Sequence, residues 1–201
     1  MAHTPNPRRR PRQKRSREKV ARILDTARRL LEEEGPAAFN TNRIAKEAGI
    51  GVGSLYEYFP NKAAIALRLR ERLSESEVEL VLARFAELEE ASLDTLLMAM
   101  VELTFTLYRK HHALRSALWA MAPGDRISGQ HPSERRILDL IQARLQALHP
   151  HRDVTLPATV AFHIIESLAT QLIADDRWDD ATSAAEVARV ARAYIDSLNQ
   201  T

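Results

Sequence analysis

The chain has 201 residues, 45% of them hydrophobic and 28% charged, with a formal net charge of +2 and no cysteine. That is enough chain to bury a core in one or two domains of a globular protein. It excludes a disulfide framework, a thiolate metal site and a cysteine nucleophile, and no run of roughly 18 uncharged apolar residues suggests a membrane span.

The charge is unevenly placed. Residues 1–62 hold 14 Lys and Arg against 7 Asp and Glu, a net of +7, which leaves −5 for the remainder. A basic front and an acidic back suggest that only the front meets a polyanion. The first 15 residues, MAHTPNPRRRPRQKR, are rich in Pro and Arg and poor in apolar residues, so a disordered basic arm is expected over 1–15. No apolar run follows these basic residues, so no signal peptide is expected and the cytoplasm is the expected compartment. Between Arg8 and Lys19 the arm's cations are opposed only by Glu18. Such an arm lies along phosphates or enters a narrow minor groove, or else serves only as a solubilising tail.

From Ser16, a plausible cap, Val20, Ile23, Leu24, Ala27, Leu30 and Leu31 recur at helical spacing and predict a helix to about Glu34, ended by Gly35 and Pro36. The next stretch, TNRIAKEAGIGVGSLYEYFPNK from Thr41 to Lys62, reads as two short helices joined by a tight turn. Thr41 can cap the first, whose apolar face is Ile44, Ala45 and Ala48. Gly49 supplies the positive φ that stops it. In the second, Leu55 and Phe59 form an apolar pair and leave Ser54, Tyr56, Glu57 and Tyr58 directed largely outward. This is a helix-turn-helix, whose second helix enters a DNA major groove. The run GIGVGS lacks the G-x-G-x-x-G spacing and a preceding strand, so it does not read as a nucleotide loop.

At these residues the chain resembles the TetR family of bacterial transcriptional repressors. The resemblance rests on the I-A-x-x-A-G of the first helix, the G-S-L-Y-x-Y-F of the second and the P-N-K that opens the next, and is dense from about Val20 to Leu67. It implies a helix-turn-helix DNA-binding domain over 16–62 and a larger helical effector-binding and dimerisation domain over 63–201. By position it also implies that Thr41, Arg43, Gly53, Ser54, Tyr56, Tyr58 and Lys62 contact operator DNA. Their chemistry agrees: Gly53 permits close approach, Ser54 bonds base or phosphate, and Tyr56 offers a face for a thymine methyl. Tyr58 reaches the backbone, and Lys62 adds charge at a helix start. Glu57 departs from this pattern, being an acid on the reading helix; it accepts from a cytosine amino group, faces away, or weakens nonspecific binding.

Beyond Pro60 the pattern stays helical, with a segment starting near Lys62 and others at about 76–90, 94–111, 112–121, 133–148, 155–175 and 183–198, and a mobile loop at 122–132. The expected fold is all-α. Leu97, Met98, Val101, Phe105, Tyr108, Leu118, Trp119 and Met121 cluster in the middle helices and serve as plain core or as the lining of an effector pocket. His163 and Glu166, three apart on one helix, add a polar pair to that pocket; as metal ligands they lack a third partner. In the last two helices, Ile165, Leu168, Ala169 and Leu172, then Ala184, Ala188, Ala191 and Ile195, form stripes that suit either a two-fold dimer interface or an intramolecular core.

No nucleophile motif or carboxylate pair of catalytic spacing is readable, so neither an enzyme nor a cofactor is expected. The expected function is a homodimeric regulator, bound as a repressor to near-palindromic double-stranded operator DNA and released by a small-molecule effector. The rival is a helical ligand-binding protein or enzyme without operator-specific DNA binding.

Overall fold

The computed structural model describes residues 14–88, 91–123, 132–174 and 180–198. The expected arm lies outside these up to residue 13, as do most of the loop expected at 122–132 and part of the break at 176–182. The described residues are all-α and contain no strand. Their helices are α1 (Lys14–Glu34), α2 (Thr41–Glu47), α3 (Val52–Tyr58), α4 (Lys62–Glu87), α5 (Leu93–Lys110), α6 (His112–Met121), α7 (Pro132–Leu148), α8 (Thr155–Ala174) and α9 (Asp180–Ser197).

These helices form two compact units. The first, the head, holds α1, α2, α3, α4 up to Leu73, and α6; the second, the body, holds α4 from Ser74, α5, α7, α8 and α9. The head thus takes in more than the segment 16–62. Ala64, Ile65, Ala66, Leu69 and Leu73 of α4, and Leu114 and Leu118 of α6, are buried in the same cluster as Ile23, Leu30, Phe39, Ile44, Leu55 and Phe59. The helices expected separately near Lys62 and over 76–90 are one, because no Gly or Pro interrupts the 26 residues of α4.

Two caps differ from expectation. Helix α1 already begins at Lys14, so Ser16 lies within it; its Oγ accepts a hydrogen bond from the Tyr58 hydroxyl at 3.2 Å. Helix α2 is capped by Asn40, not Thr41: Asn40 has extended backbone and its Oδ1 accepts from the Arg43 N–H at 2.9 Å. Asn at this position satisfies an orphan donor of the first turn.

The turn after α2 sets how α3 leaves it. Gly49 has φ +64°, its N–H donates to Lys46 O at 3.2 Å, and the Ile50 N–H donates to Ala45 O at 3.0 Å. This pair of bonds is the Schellman closure of a helix end, which needs a left-handed residue where Gly49 stands. Helix α3 then buries Leu55 and Tyr58 against the head and leaves Gly51, Val52, Gly53, Tyr56 and Glu57 exposed.

In the body, α5 packs on α8 and α9, and α8 packs on α7 and α9. Val101, Leu145, Val154, Ala158, Ile165, Ala169, Ala191 and Ile195 are almost completely buried. This corrects the expected dimer surface. Ile165, Ala169, Ala184, Ala188, Ala191 and Ile195 are already buried within the single chain and leave little surface for a partner. Their small side chains serve close packing inside the body. Of that set, Leu168 remains exposed and Leu172 half-buried. Under the body's surface, His111 ends α5 and places its Nδ1 2.9 Å from Glu77 Oε1 of α4.

The glycines of the turn and of α3 should respond oppositely to an added methyl. Nothing lies within 4 Å of a Cβ at either Gly49 or Gly53, so crowding is absent and backbone conformation decides. Gly49→Ala forces alanine into the left-handed region and should lower unfolding stability by about 1–2 kcal/mol. Gly53→Ala, inside a helix, should raise it by about 0.5–1 kcal/mol. Denaturant unfolding of both variants checks the pair; a shift of the same sign in both refutes the stated cause.

Candidate nucleic-acid interface

Helices α2 and α3 carry most of the residues expected to contact DNA. The Thr41 hydroxyl, freed from capping, lies 3.0 Å from the Tyr56 hydroxyl and ties the tyrosine of α3 to the start of α2. Tyr56 stays 41% exposed, with its ring orientation fixed by that bond. Gly53 is exposed and Ser54 half-buried on the same helix. Lys62 is exposed in the first turn of α4, a helix start organised by Asn61, whose Oδ1 accepts from the Ala64 N–H at 2.9 Å.

Tyr58 is the exception. It was expected outside, but only 7% of it is accessible and its ring belongs to the head's core. Three residues after Leu55 on a seven-residue helix, it falls on the same buried side. Its hydroxyl points toward Ser16 of α1 rather than toward open solvent.

Arg43 is not a free cation. Its Nε lies 2.8 Å from Glu47 Oε1 and its Nη2 2.5 Å from Glu34 Oε1, while Arg29 bonds both Glu47 and Glu33. The hydrogen bond from Arg43 first, and that from Arg29 second, hold the Glu47 carboxyl below the ordinary carboxylate range. Two arginines and three carboxylates thus form an exposed lattice behind α2. The Arg43–Glu47 pair is local, at i,i+4, whereas the links to Arg29 and Glu34 are tertiary.

The expected effector pocket is only partly assembled. Leu118, Trp119 and Met121 belong to the head, where the Arg70 and Arg115 guanidinium carbons lie 4.9 and 5.8 Å from the Trp119 ring centre. In the body a cavity of ≈ 30 Å³ is lined by residues of α4, α5, α7, α8 and α9, among them Phe85, Leu97, Met100, Arg144, Phe162 and Ile165. Leu97 alone was named for it. Val101 and Phe105 are plain core, and Met98 packs against that core. Tyr108, His163 and Glu166 do come together: the Tyr108 hydroxyl donates to Glu166 Oε1 at 2.9 Å, and His163 Nδ1 lies 3.9 Å from Glu166 Oε2. Among the described residues no three His, Cys, Asp or Glu converge as a metal site.

The pattern shared by bacterial regulatory proteins of the tetR family matches residues 23–69, from the buried face of α1 to the head portion of α4. Over this stretch the chain is similar to the TetR family. It is 30% identical over 107 residues to an HTH-type transcriptional regulator of Staphylococcus aureus strain MRSA252, which spans 52% of this chain and 56% of that relative. A second S. aureus regulator, from strain USA300, is 32% identical over 75 residues, 38% of its length. The chain therefore spans about half or less of the curated relatives it matches. In fold the likeness runs further. A TetR-family regulator from Streptomyces coelicolor superposes with a TM-score of 0.62 at 22% identity, covering 90% of this chain and 98% of that one. The regulator FadR from Bacillus subtilis, in complex with stearoyl-CoA, does so with a TM-score of 0.56 at 19% identity, covering 88% and 95%. The TetR fold thus extends over head and body, while the family's sequence pattern lies in the head.

The lattice around Glu47 carries a pH signature. Its folded carboxyl is a stronger acid than the unfolded one, which titrates near about pH 4.3. The stabilisation is therefore complete above that value and is lost as pH falls through the folded pKa. Because these groups are exposed, the amplitude is small. Glu47→Gln should flatten the fall in stability between about pH 5 and 3, read from denaturant midpoints at stepped pH. An unchanged slope would show that Glu47 does not contribute.

Proposed function

We propose that this TetR-family chain is a transcriptional regulator that acts as a homodimer, binds near-palindromic operator DNA as a repressor, and is released by a small-molecule effector. The observation that carries the DNA reading is α3: it leaves a glycine-closed turn with its inner side buried and its Gly51–Glu57 side open. That is the presentation a major-groove helix needs. Under this reading residues 16–62 hold the DNA-binding elements, Thr41, Arg43, Gly53, Ser54, Tyr56 and Lys62 make the contacts, and Tyr58 supports α3 from within. The segment 63–201 supplies effector binding and dimerisation, and the expected compartment is the cytoplasm. No catalytic role is proposed.

Helix α8 supports the dimer. It alone among the described helices is long and apolar enough to cross a membrane by length and composition, with a mean hydropathy of 1.3, yet only 33% of that window is buried. One side, with Ala158, Ala161, Phe162, Ile165, Ala169 and Ile173, faces the body's core, which identifies a core helix. The other side exposes Leu156 by 69% and Leu168 by 39% and leaves Val160, Ile164 and Leu172 half-covered. An apolar face of that length is what a second copy would cover. The interface proposed is this outer face, not the small-residue stripe of α9.

The cavity in the body supports an apolar effector, since Arg144 is the one charged side chain that lines it. At ≈ 30 Å³ it has room for about one water, so an effector must open it. A ligand that binds only the opened body shifts the population away from the DNA-binding form. The solved neighbours are described with unlike ligands, stearoyl-CoA for FadR of B. subtilis and imidazole for the multidrug binding protein EbrR, so they indicate no ligand class.

Two substitutions test the reading. Leu168→Glu places a carboxylate on the exposed face of α8; the protomer should stay folded while sedimentation at micromolar concentration shows a monomer. Wild-type protein that is itself monomeric there overturns the dimer. Tyr56→Ala should cost about 1–3 kcal/mol of binding to DNA enriched by the protein, with an unchanged thermal midpoint. Equal affinity removes Tyr56 from the interface.

A further inference from the structure

We propose that α3 reads DNA sequence chiefly through thymine methyl groups, with Val52 and Tyr56 as the reading side chains. The inference rests on the DNA-binding reading above and deepens it. The side chains that form paired hydrogen bonds with guanine or adenine edges are Arg, Lys, Asn and Gln. Helix α3, VGSLYEY, contains none of them. Its exposed polar group is Glu57, which can only accept, and Ser54 bonds many edges without distinguishing them.

What α3 does expose is apolar. Val52 and Tyr56 stand 39% and 41% exposed, and among the described residues they are the large apolar side chains most exposed in the head. Both lie on one helix at i and i+4, so they share a face. Val52 stands between Gly51 and Gly53, which carry no Cβ to shield it, and a Cβ added at either glycine would meet nothing within 4 Å. Tyr56 has its hydroxyl bonded to Thr41, which restrains its ring rather than leaving it free to fold away.

An exposed apolar pair on a domain surface calls for an apolar partner. Within a major groove the thymine C5-methyl is the apolar feature that distinguishes one base. The +7 charge of residues 1–62 makes a polyanion the fitting occupant of this side, in preference to another protein's apolar surface. Val52 was absent from the residues that the sequence alone put at the interface, because valine carries no polar group to mark it.

The test uses the full chain and duplexes that it enriches from a random library. Each thymine of an enriched duplex is replaced singly by deoxyuridine, which removes the methyl and keeps the base pair. Residues four apart lie about 6 Å along a helix, so two sensitive thymines should fall within about two base pairs of each other in each half-site. Each replacement should weaken wild-type binding about four-fold, the worth of one buried methyl. Val52→Ala should lose the penalty at one of these positions, keep it at the other, and bind the deoxyuridine duplex as well as wild type does. That last equality also shows the variant to be folded.

Enriched duplexes that tolerate deoxyuridine at every position would overturn methyl reading while leaving DNA binding intact. A penalty unchanged in Val52→Ala would remove Val52. Failure to enrich any duplex would overturn the DNA-binding reading itself, and specific capture of an apolar peptide by the same face would assign the face to a protein.

Discussion

The direction in which α3 leaves α2 depends on a single backbone conformation, the left-handed turn at Gly49. Two hydrogen bonds close it, from Gly49 to Lys46 and from Ile50 to Ala45, and both need φ near +64°. Everything exposed on α3 inherits its orientation from that turn. Leu55 then anchors the helix in the core, Tyr58 pins its end to Ser16 of α1, and Tyr56 is tied to Thr41 of α2. Three side chains from a seven-residue helix thus engage three different surroundings. Such a short helix is marginal in isolation, so its persistence comes from this packing and not from propensity.

The body solves a different problem. Its helix α8 is apolar on more than one side. Burying one side against α5, α7 and α9 uses the small residues Ala158, Ala161 and Ala169 of α8 and Ala184, Ala188 and Ala191 of α9, which let helix axes approach. The same packing leaves Leu156 and Leu168 outside. The inner face thus combines these alanines with Phe162, Ile165, Ile173 and Ile195, while Leu156 and Leu168 lie on the outer one.

Much of the architecture was legible because helical spacing, Gly and Pro punctuate this chain strongly. Helices α1, α5, α6, α7 and α8 begin and end within a few residues of expectation, and Gly49 stands where the turn needs it. The family signature was legible because it is carried by local sequence. The misreadings share one physical origin: periodicity shows that a residue has neighbours, not which ones. Tyr58 has an apolar body and a polar tip; three residues after Leu55 its ring turns inward, and its hydroxyl finds Ser16 of α1. Leu118 and Trp119 look like body core in sequence, yet they pack with α1 and α4 in the head. The cavity draws residues from five helices, a set no local pattern encodes.

The carboxylates around Arg43 complete the electrostatic account of the head. Glu34 and Glu47 reduce the positive charge at the face where a polyanion is proposed to bind. Their pairs with Arg43 are exposed, and exposed pairs are worth about 0–1 kcal/mol each. A phosphate offers Arg43 a comparable partner in a comparable geometry. Exchanging Glu34 or Glu47 for a phosphate therefore costs little, while the lattice keeps the Arg43 side chain extended beside α2 beforehand. Order gained in the free protein is order that binding need not impose. With Tyr56 held by Thr41 in the same way, the proposed interface would be ordered before DNA arrives, by contacts weak enough to be given up or shared.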